Sequence, residues 1–201
     1  RSRQVTGVQT CALPILKEFI RQNPHISISI SCQSTNDTLK LLEDNKIDIG
    51  LIGKPENLKN IHFDFLEEIE DIFVAAKDYL RNLKARGIQK DHILQSSTLM
   101  LLDKNNMTRQ YIDDYLQENQ IIIKDSIDIS DMDLLIDFAR IGVGVACVIK
   151  NFVREDLENG TLMEIPLGFP IHKREVGFAY KTTTKPSKSL AEFIHFYKTY
   201  R

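Results

Sequence analysis

Residues 138–149 read FARIGVGVACVI, and their pattern decides the fold class. Leu134, Leu135 and Phe138 carry a helix into this stretch, and Gly142 ends it, because glycine takes the left-handed conformation after a helix without steric cost. Residues 143–149 then form a short apolar run, the length of a buried strand rather than a helix. Just upstream, Ser130-Asp131-Met132-Asp133 has the S-x-x-D form of a capping box and predicts where that helix begins. The same passage occurs earlier, in residues 41–52, LLEDNKIDIGLI. There Ser34-Thr35-Asn36-Asp37 caps a helix bearing Leu39, Leu41 and Leu42, residues 47–52 form a short strand, and Gly53-Lys54-Pro55 stops it.

Working outward, Ile26, Ile28 and Ile30 alternate with serines, which predicts a strand over residues 25–31. Strands are also expected at 63–66, 72–76, 98–102, 121–129, 161–165 and 175–181. Helices are expected around Tyr79, Leu80 and Leu83 (closed by Gly87), around Tyr111, Ile112, Tyr115 and Leu116, and over 151–157. The last helix carries Leu190, Phe193, Ile194 and Tyr197 at i, i+3, i+4 and i+7, an amphipathic stripe. Helix alternating with strand on this scale predicts an α/β fold with parallel, doubly wound sheets. No internal repeat or low-complexity segment interrupts it.

The chain has 201 residues, 42% hydrophobic and 27% charged, which suits two small lobes of ordinary globular composition. A net charge of −2 and a pI near 6.2 argue against a general nucleic-acid or anionic-membrane surface. No apolar run approaches the roughly 18 residues of a membrane helix, and the Arg-Ser-Arg-Gln start has no apolar segment behind it. Cys11, Cys32 and Cys147 show no paired spacing, which fits reduced thiols in a cytoplasmic protein. Residues 5–15, VTGVQTCALPI, resemble the translation of a sequencing-library adapter, so residues 1–15 are set apart as an artefact and the natural sequence is expected to begin near Leu16.

Four segments in order resemble the LysR family of bacterial transcription regulators: residues 16–24 (LKEFIRQNP), residues 41–52, residues 138–149, and residues 157–162 (LENGTL). Each is weak alone; their order and spacing make the likeness specific. The resemblance implies the family's effector-binding domain: two α/β lobes with a central cleft, like a type 2 periplasmic binding protein. Residues 16–68 and 174–201 would form lobe I, and 69–173 lobe II. It also implies a small-molecule effector bound between the lobes, a homodimer or homotetramer, and DNA contact only through an N-terminal domain absent from this chain. The family's first lobe-I strand would fall within the adapter-like residues, so the isolated chain is expected to be marginally stable or misassembled.

Open α/β sheets bind ligands at the C-terminal ends of strands, where helix N-termini present unpaired N–H groups. Three such places are predicted here: Gln33, Ser34, Thr35 and Asn36; Asn105, Asn106 and Thr108; and Ser130, Asp131 and Met132. The resemblance implies that the first and third line the effector pocket. Ser34 and Ser130 read equally as ordinary helix caps, and Arg109 either adds charge to the second place or reads as a solvated helix residue. Asp131 would oppose an anionic effector.

Catalysis has no support in the motifs. His25, His62, His92, His172 and His195 lack metal-ligand spacing, and neither a nucleophile elbow nor a P-loop is present. Asp113-Asp114 and the carboxylates over 128–133 read as solvated helix faces and caps. No metal, cofactor or catalytic residue is therefore expected. Two alternatives stay open: a solute-binding protein, or a transferase on the same two-lobed fold.

Overall fold

The computed structural model describes residues 12–31, 33–55, 57–183 and 185–200. Cys11, Cys32 and residues 1–11 of the adapter-like segment lie outside the described residues. In chain order the elements are α1 (Ala12–Gln22), α2 (Thr35–Glu43), β1 (Gly50–Gly53), β2 (Ile61–Ile69), β3 (Asp71–Ala76), α3 (Lys77–Ala85), α4 (Ile93–Ser96), β4 (Thr98–Leu102), α5 (Met107–Glu118), β5 (Asp125–Ile129), α6 (Met132–Arg140), β6 (Val145–Ile149), α7 (Arg154–Asn159), β7 (Leu162–Glu164), β8 (Arg174–Lys181) and α8 (Lys188–Thr199). Short 3-10 turns occupy Lys90–His92 and Lys150–Val153. The chain divides into two compact units, Ile69–Lys173, and residues 12–68 with 174–200.

In the unit that holds both ends of the described chain, the strands lie in the order β1–β8–β2, with β1 antiparallel to β8. Successive strand residues face opposite sides. Leu51 and Phe178 thus meet Ile15, Phe19, Phe193 and Tyr197 of α1 and α8. Ile52 and Ala179 turn the other way, onto Leu42 of α2. The stripe on α8 behaves as its spacing predicts: Phe193 and Tyr197 are buried and Leu190 and Ile194 half-buried.

The second unit holds a five-stranded sheet, β5–β4–β6–β3–β7. β4 runs parallel to β5 and β6, but β3 is antiparallel to both β6 and β7. The expected all-parallel winding is therefore corrected to mixed sheets. β3 follows β2 with only Glu70 between them, and its sheet partners β6 and β7 lie far along the chain. Phe73, Leu99, Val145 and Cys147 share one buried face with Ile112, Tyr115 and Leu116 of α5. α6 packs against β3, β4 and β6, burying Leu135, Ile136 and Ala139.

The decisive stretch is built as its glycines require. Gly142 has φ +80°, the left-handed turn that closes α6. Gly144 stands so close to β4 that a Cβ there would lie 2.4 Å from the carbonyl oxygen of Thr98. The strand begins one residue later, at Val145.

Two strand predictions need correction. Residues 27–31 carry no strand, and Ile28 and Ile30 are exposed. Alternation names the face a strand would bury, but a strand also needs a neighbour for its backbone groups, and among the described residues this segment joins neither sheet. The strand predicted over 121–129 is confined to Asp125–Ile129.

One polar network ties α8 to β2. Asp64 accepts a hydrogen bond from Tyr197 Oη at 2.5 Å, and its carboxylate lies 2.9 Å from His62 Nε2 and 3.0 Å from Lys198 Nζ. Burial acts to raise the Asp64 pKa, but the hydrogen bonds from Tyr197, His62 and Lys198 outweigh it and hold the carboxyl below its ordinary 3.8. Burial and the adjacent Asp64 raise the Tyr197 phenol, so its proton stays on as the donor. A depressed carboxyl stabilises the fold above its unfolded value and loses that contribution as pH falls through the folded one. Asp64→Asn is expected to destabilise by about 1–2 kcal/mol at neutral pH, the gap from the parent closing as pH drops below 3.8. Urea titrations at neutral and acid pH test this; an unchanged gap would contradict it.

Candidate functional site

The predicted residues fall at helix N-termini in both units. In the α1–α2–α8 unit, Ser34 is the N-cap of α2: its Oγ accepts from the Asp37 N–H at 3.2 Å and donates to Asp37 Oδ2 at 2.8 Å. That hydroxyl bond lowers the Asp37 pKa. Thr35 Oγ1 accepts from the N–H of Gly53, at the C-terminal end of β1, at 3.4 Å. Gln33 and Asn36 beside them are half-buried. Thr35 thus ties the start of α2 to the carboxyl end of β1.

In the other unit, Leu102 and Ile129 are direct neighbours in the parallel β4–β5 ladder, so the loops after them share one edge. Asp103 N–H donates to Ile129 O at 3.1 Å and knits those loops together. Asn106 is the N-cap of α5, accepting from Thr108 N–H at 2.9 Å. At α6 the cap is Asp131, not Ser130: its Oδ1 accepts from Leu134 N–H at 3.0 Å. Ser130 is exposed, and Met132 is buried at 3% in the α6 core. Replacing Asp131 by alanine should cost about 1 kcal/mol of stability, whereas Ser130→Ala should change it by less than about 0.5 kcal/mol. Chemical denaturation of both variants ranks them; the reverse ranking would return the cap to Ser130.

Arg109 corrects the sequence reading most. It is 6% exposed rather than solvated. Nε bonds to Asp113 at 2.8 Å, and Nη1 bonds both Leu102 O at 2.8 Å and Asp128 at 2.6 Å. Burial lowers the Arg109 pKa, but Asp113 and Asp128 more than offset it and the net shift is upward. One side chain thus pins the end of β4, the first turn of α5 and β5 around the 103–106 loop. The i,i+4 spacing to Asp113 was a readable signal; Asp128, on another strand, was not.

A separate open groove of about 570 Å³ runs between α1 and α8, with Phe19, Asn23, Glu192, His195 and Phe196 among its walls. None of the predicted site residues lines it. Among the described residues no group of His, Cys, Asp and Glu has the arrangement of a metal site, and no helix is long and apolar enough to cross a membrane.

Comparison with known proteins places this geometry. The sequence model described as LysR substrate binding domain matches residues 5–201. The HTH-type transcriptional regulator YeiE of Escherichia coli (strain K12) is 21% identical over 183 residues, covering 90% of this chain and 61% of the relative. The chain thus spans less than two thirds of that relative's length. Among solved structures, the effector-binding domain of QuiR in complex with shikimate superposes with a TM-score of 0.77 at 17% identity, covering 96% of this chain and 92% of that one. The CcmR regulatory domain of Synechocystis PCC6803 in complex with 2-PG gives a TM-score of 0.76 at 14% identity, covering 91% and 87%. With the family matched along nearly its whole length and the same fold in both structures, the chain belongs to the LysR substrate-binding-domain family.

Proposed function

We propose that this chain is the effector-sensing part of a LysR-type transcription regulator, with DNA contact made by a segment outside it. The family match across residues 5–201 carries the reading. The helix N-termini at Gln33–Asn36, at Asn106 and Thr108, and at Ser130 and Met132 are its candidate effector contacts. An effector moves such a regulator only by binding one arrangement of it better than another. Residues 1–15 are read as adapter-derived, 16–68 with 174–201 as lobe I and 69–173 as lobe II, in a cytoplasmic protein.

The source DNA immediately upstream of the Leu16 codon tests the regulator reading. A winged helix-turn-helix followed by a long helix supports it. An export signal, or a start codon a few residues before Leu16, overturns it in favour of a solute-binding protein or an enzyme.

The contacts are tested by thermal melts against a small-molecule panel that begins with shikimate and 2-PG, the molecules in the two related structures. A ligand that raises Tm in the parent should raise it less in Ser130→Ala, a variant that removes no helix cap; an equal rise removes Ser130 from the site. Homo-oligomerisation is supported by exposed Ile20 on α1 and by exposed Ile127 and Leu134 on β5 and α6. Sedimentation of Leu134→Glu should show a smaller assembly than the parent.

A further inference from the structure

The turn between α7 and β7 holds the sequence's one Asn-Gly pair, Asn159-Gly160. Three observations there converge on a chemical event. First, Asn159 is exposed, and its Oδ1 accepts two hydrogen bonds from the same residue: Thr161 N–H at 2.8 Å and Thr161 Oγ1–H at 2.6 Å. Two donors on one carbonyl oxygen withdraw charge from its carbon and would stabilise the oxyanion formed if that carbon were attacked. Second, the adjacent nucleophile is unengaged. The N–H groups that cap α2, α5 and α6, on Asp44, Asn119 and Ile141, donate to Lys40, Tyr115 and Asp137 carbonyls. Among the described residues the Gly160 N–H donates to none. Third, Gly160 has φ +77° and no atom within 4 Å of where a Cβ would stand, so nothing crowds the turn as it rearranges.

We propose that Asn159 is a spontaneous modification site, cyclising onto Gly160 with Thr161 as its oxyanion hole. The deprotonated Gly160 nitrogen attacks Cγ of Asn159 and a new C–N bond forms. The Cγ–Nδ2 bond breaks, and ammonia leaves carrying the proton that Gly160 gave up. Water then opens the cyclic imide. Cleavage at Cγ gives aspartate, and cleavage at the main-chain carbonyl gives isoaspartate with one extra methylene in the backbone. Neither step needs an oxidant or cofactor. Either product puts a negative charge at the C-terminal end of α7, where the helix dipole disfavours it. Isoaspartate also lengthens the link into β7, whose Leu162 is fully buried opposite Ala76. The modification therefore loosens the β7 edge of the five-stranded sheet as the protein ages.

The full chain is incubated at mildly alkaline pH and mapped by mass spectrometry, with isoaspartate read by methyltransferase labelling. The same conditions are applied to a synthetic peptide of residues 155–164. Asn159 should convert faster than any other asparagine in the chain and at least as fast as in the peptide, and the rate should rise with pH. Thr161→Val, which deletes the hydroxyl donor, should slow it about 3- to 10-fold, with Thr161→Ser near the parent rate. A folded chain slower than the peptide overturns the proposal without any variant. Equal rates in Thr161→Val and Thr161→Ser overturn the role of Thr161.

Discussion

Gly144→Ala is expected to destabilise the chain by about 2–4 kcal/mol, a large part of the stability of an ordinary domain. The added methyl would meet Thr98 O at 2.4 Å, Thr98 C at 3.3 Å and Met100 Cγ at 3.4 Å. The first two are backbone atoms of β4 and cannot swing aside as the end of a side chain can. Relief requires β6 to move away from β4, and these strands pair at Leu99–Val145 and Met100–Ala146 in the middle of the five-stranded sheet. Leu99, Met100, Val145 and Ala146 are fully buried, so separation would open unfilled space on both sides. Gly168→Ala is the matched control: a Cβ there meets nothing within 4 Å, and the change should stay within about 0.5 kcal/mol. Urea denaturation of the two variants compares them directly. Equal midpoints would mean that β6 does not approach β4 through Gly144.

Much of this fold was legible because the decisive residues act locally. Gly142 marks where a helix stops, a requirement written in residue type, whereas the close approach at Gly144 shows only in the packing. The α8 stripe and the Ser34 cap are likewise set by spacing within one element. The reading failed where the outcome depended on a partner far along the chain. Residues 25–31 alternate like a strand, yet the described structure offers them no place in a sheet. β3 reads as one more strand of a parallel series; its direction is fixed against β6 and β7, far along the chain, which its composition does not record. At α6 the string Ser130-Asp131-Met132-Asp133 holds two possible caps one residue apart, and only the backbone angles at Asp131 decide between them. The candidate site was legible to a similar degree. Helix starts are readable, and Arg109 reads as a charge beside one of them, but its burial and its bonds to Leu102 and Asp128 are not written in the sequence.

That arginine carries the other large expectation. Arg109→Met should cost about 2–3 kcal/mol, measured by chemical denaturation. The aliphatic stem is kept, so the loss falls on the guanidinium contacts. Asp113 and Asp128 are nearly half exposed, at 46% and 44% of the side chain, and on losing Arg109 both can turn to water. Their share of the cost is reduced accordingly. Leu102 O has less freedom, because Leu102 is buried and Arg109 Nη1 is its side-chain donor. An acceptor left without that donor makes up the greater part of the penalty. Arg109→Lys keeps the charge but not the planar fork that reaches Asp113 through Nε and Leu102 and Asp128 through Nη1, so it should recover less than half of the loss. A double-mutant cycle with Asp128→Asn separates the contributions: a coupling near 1 kcal/mol fits a half-exposed pair. Zero coupling would reduce Arg109 to a backbone clamp. A full-size coupling would mean that Asp128 is shielded from water more than its exposure indicates. In Arg109→Met the 103–106 loop loses the guanidinium that spans its base. A ligand contacting Asn106 or Thr108 should therefore bind more weakly to Arg109→Met than to Asp113→Asn, which leaves the Leu102 and Asp128 bonds in place. Equal affinities would separate the clamp from the effector site.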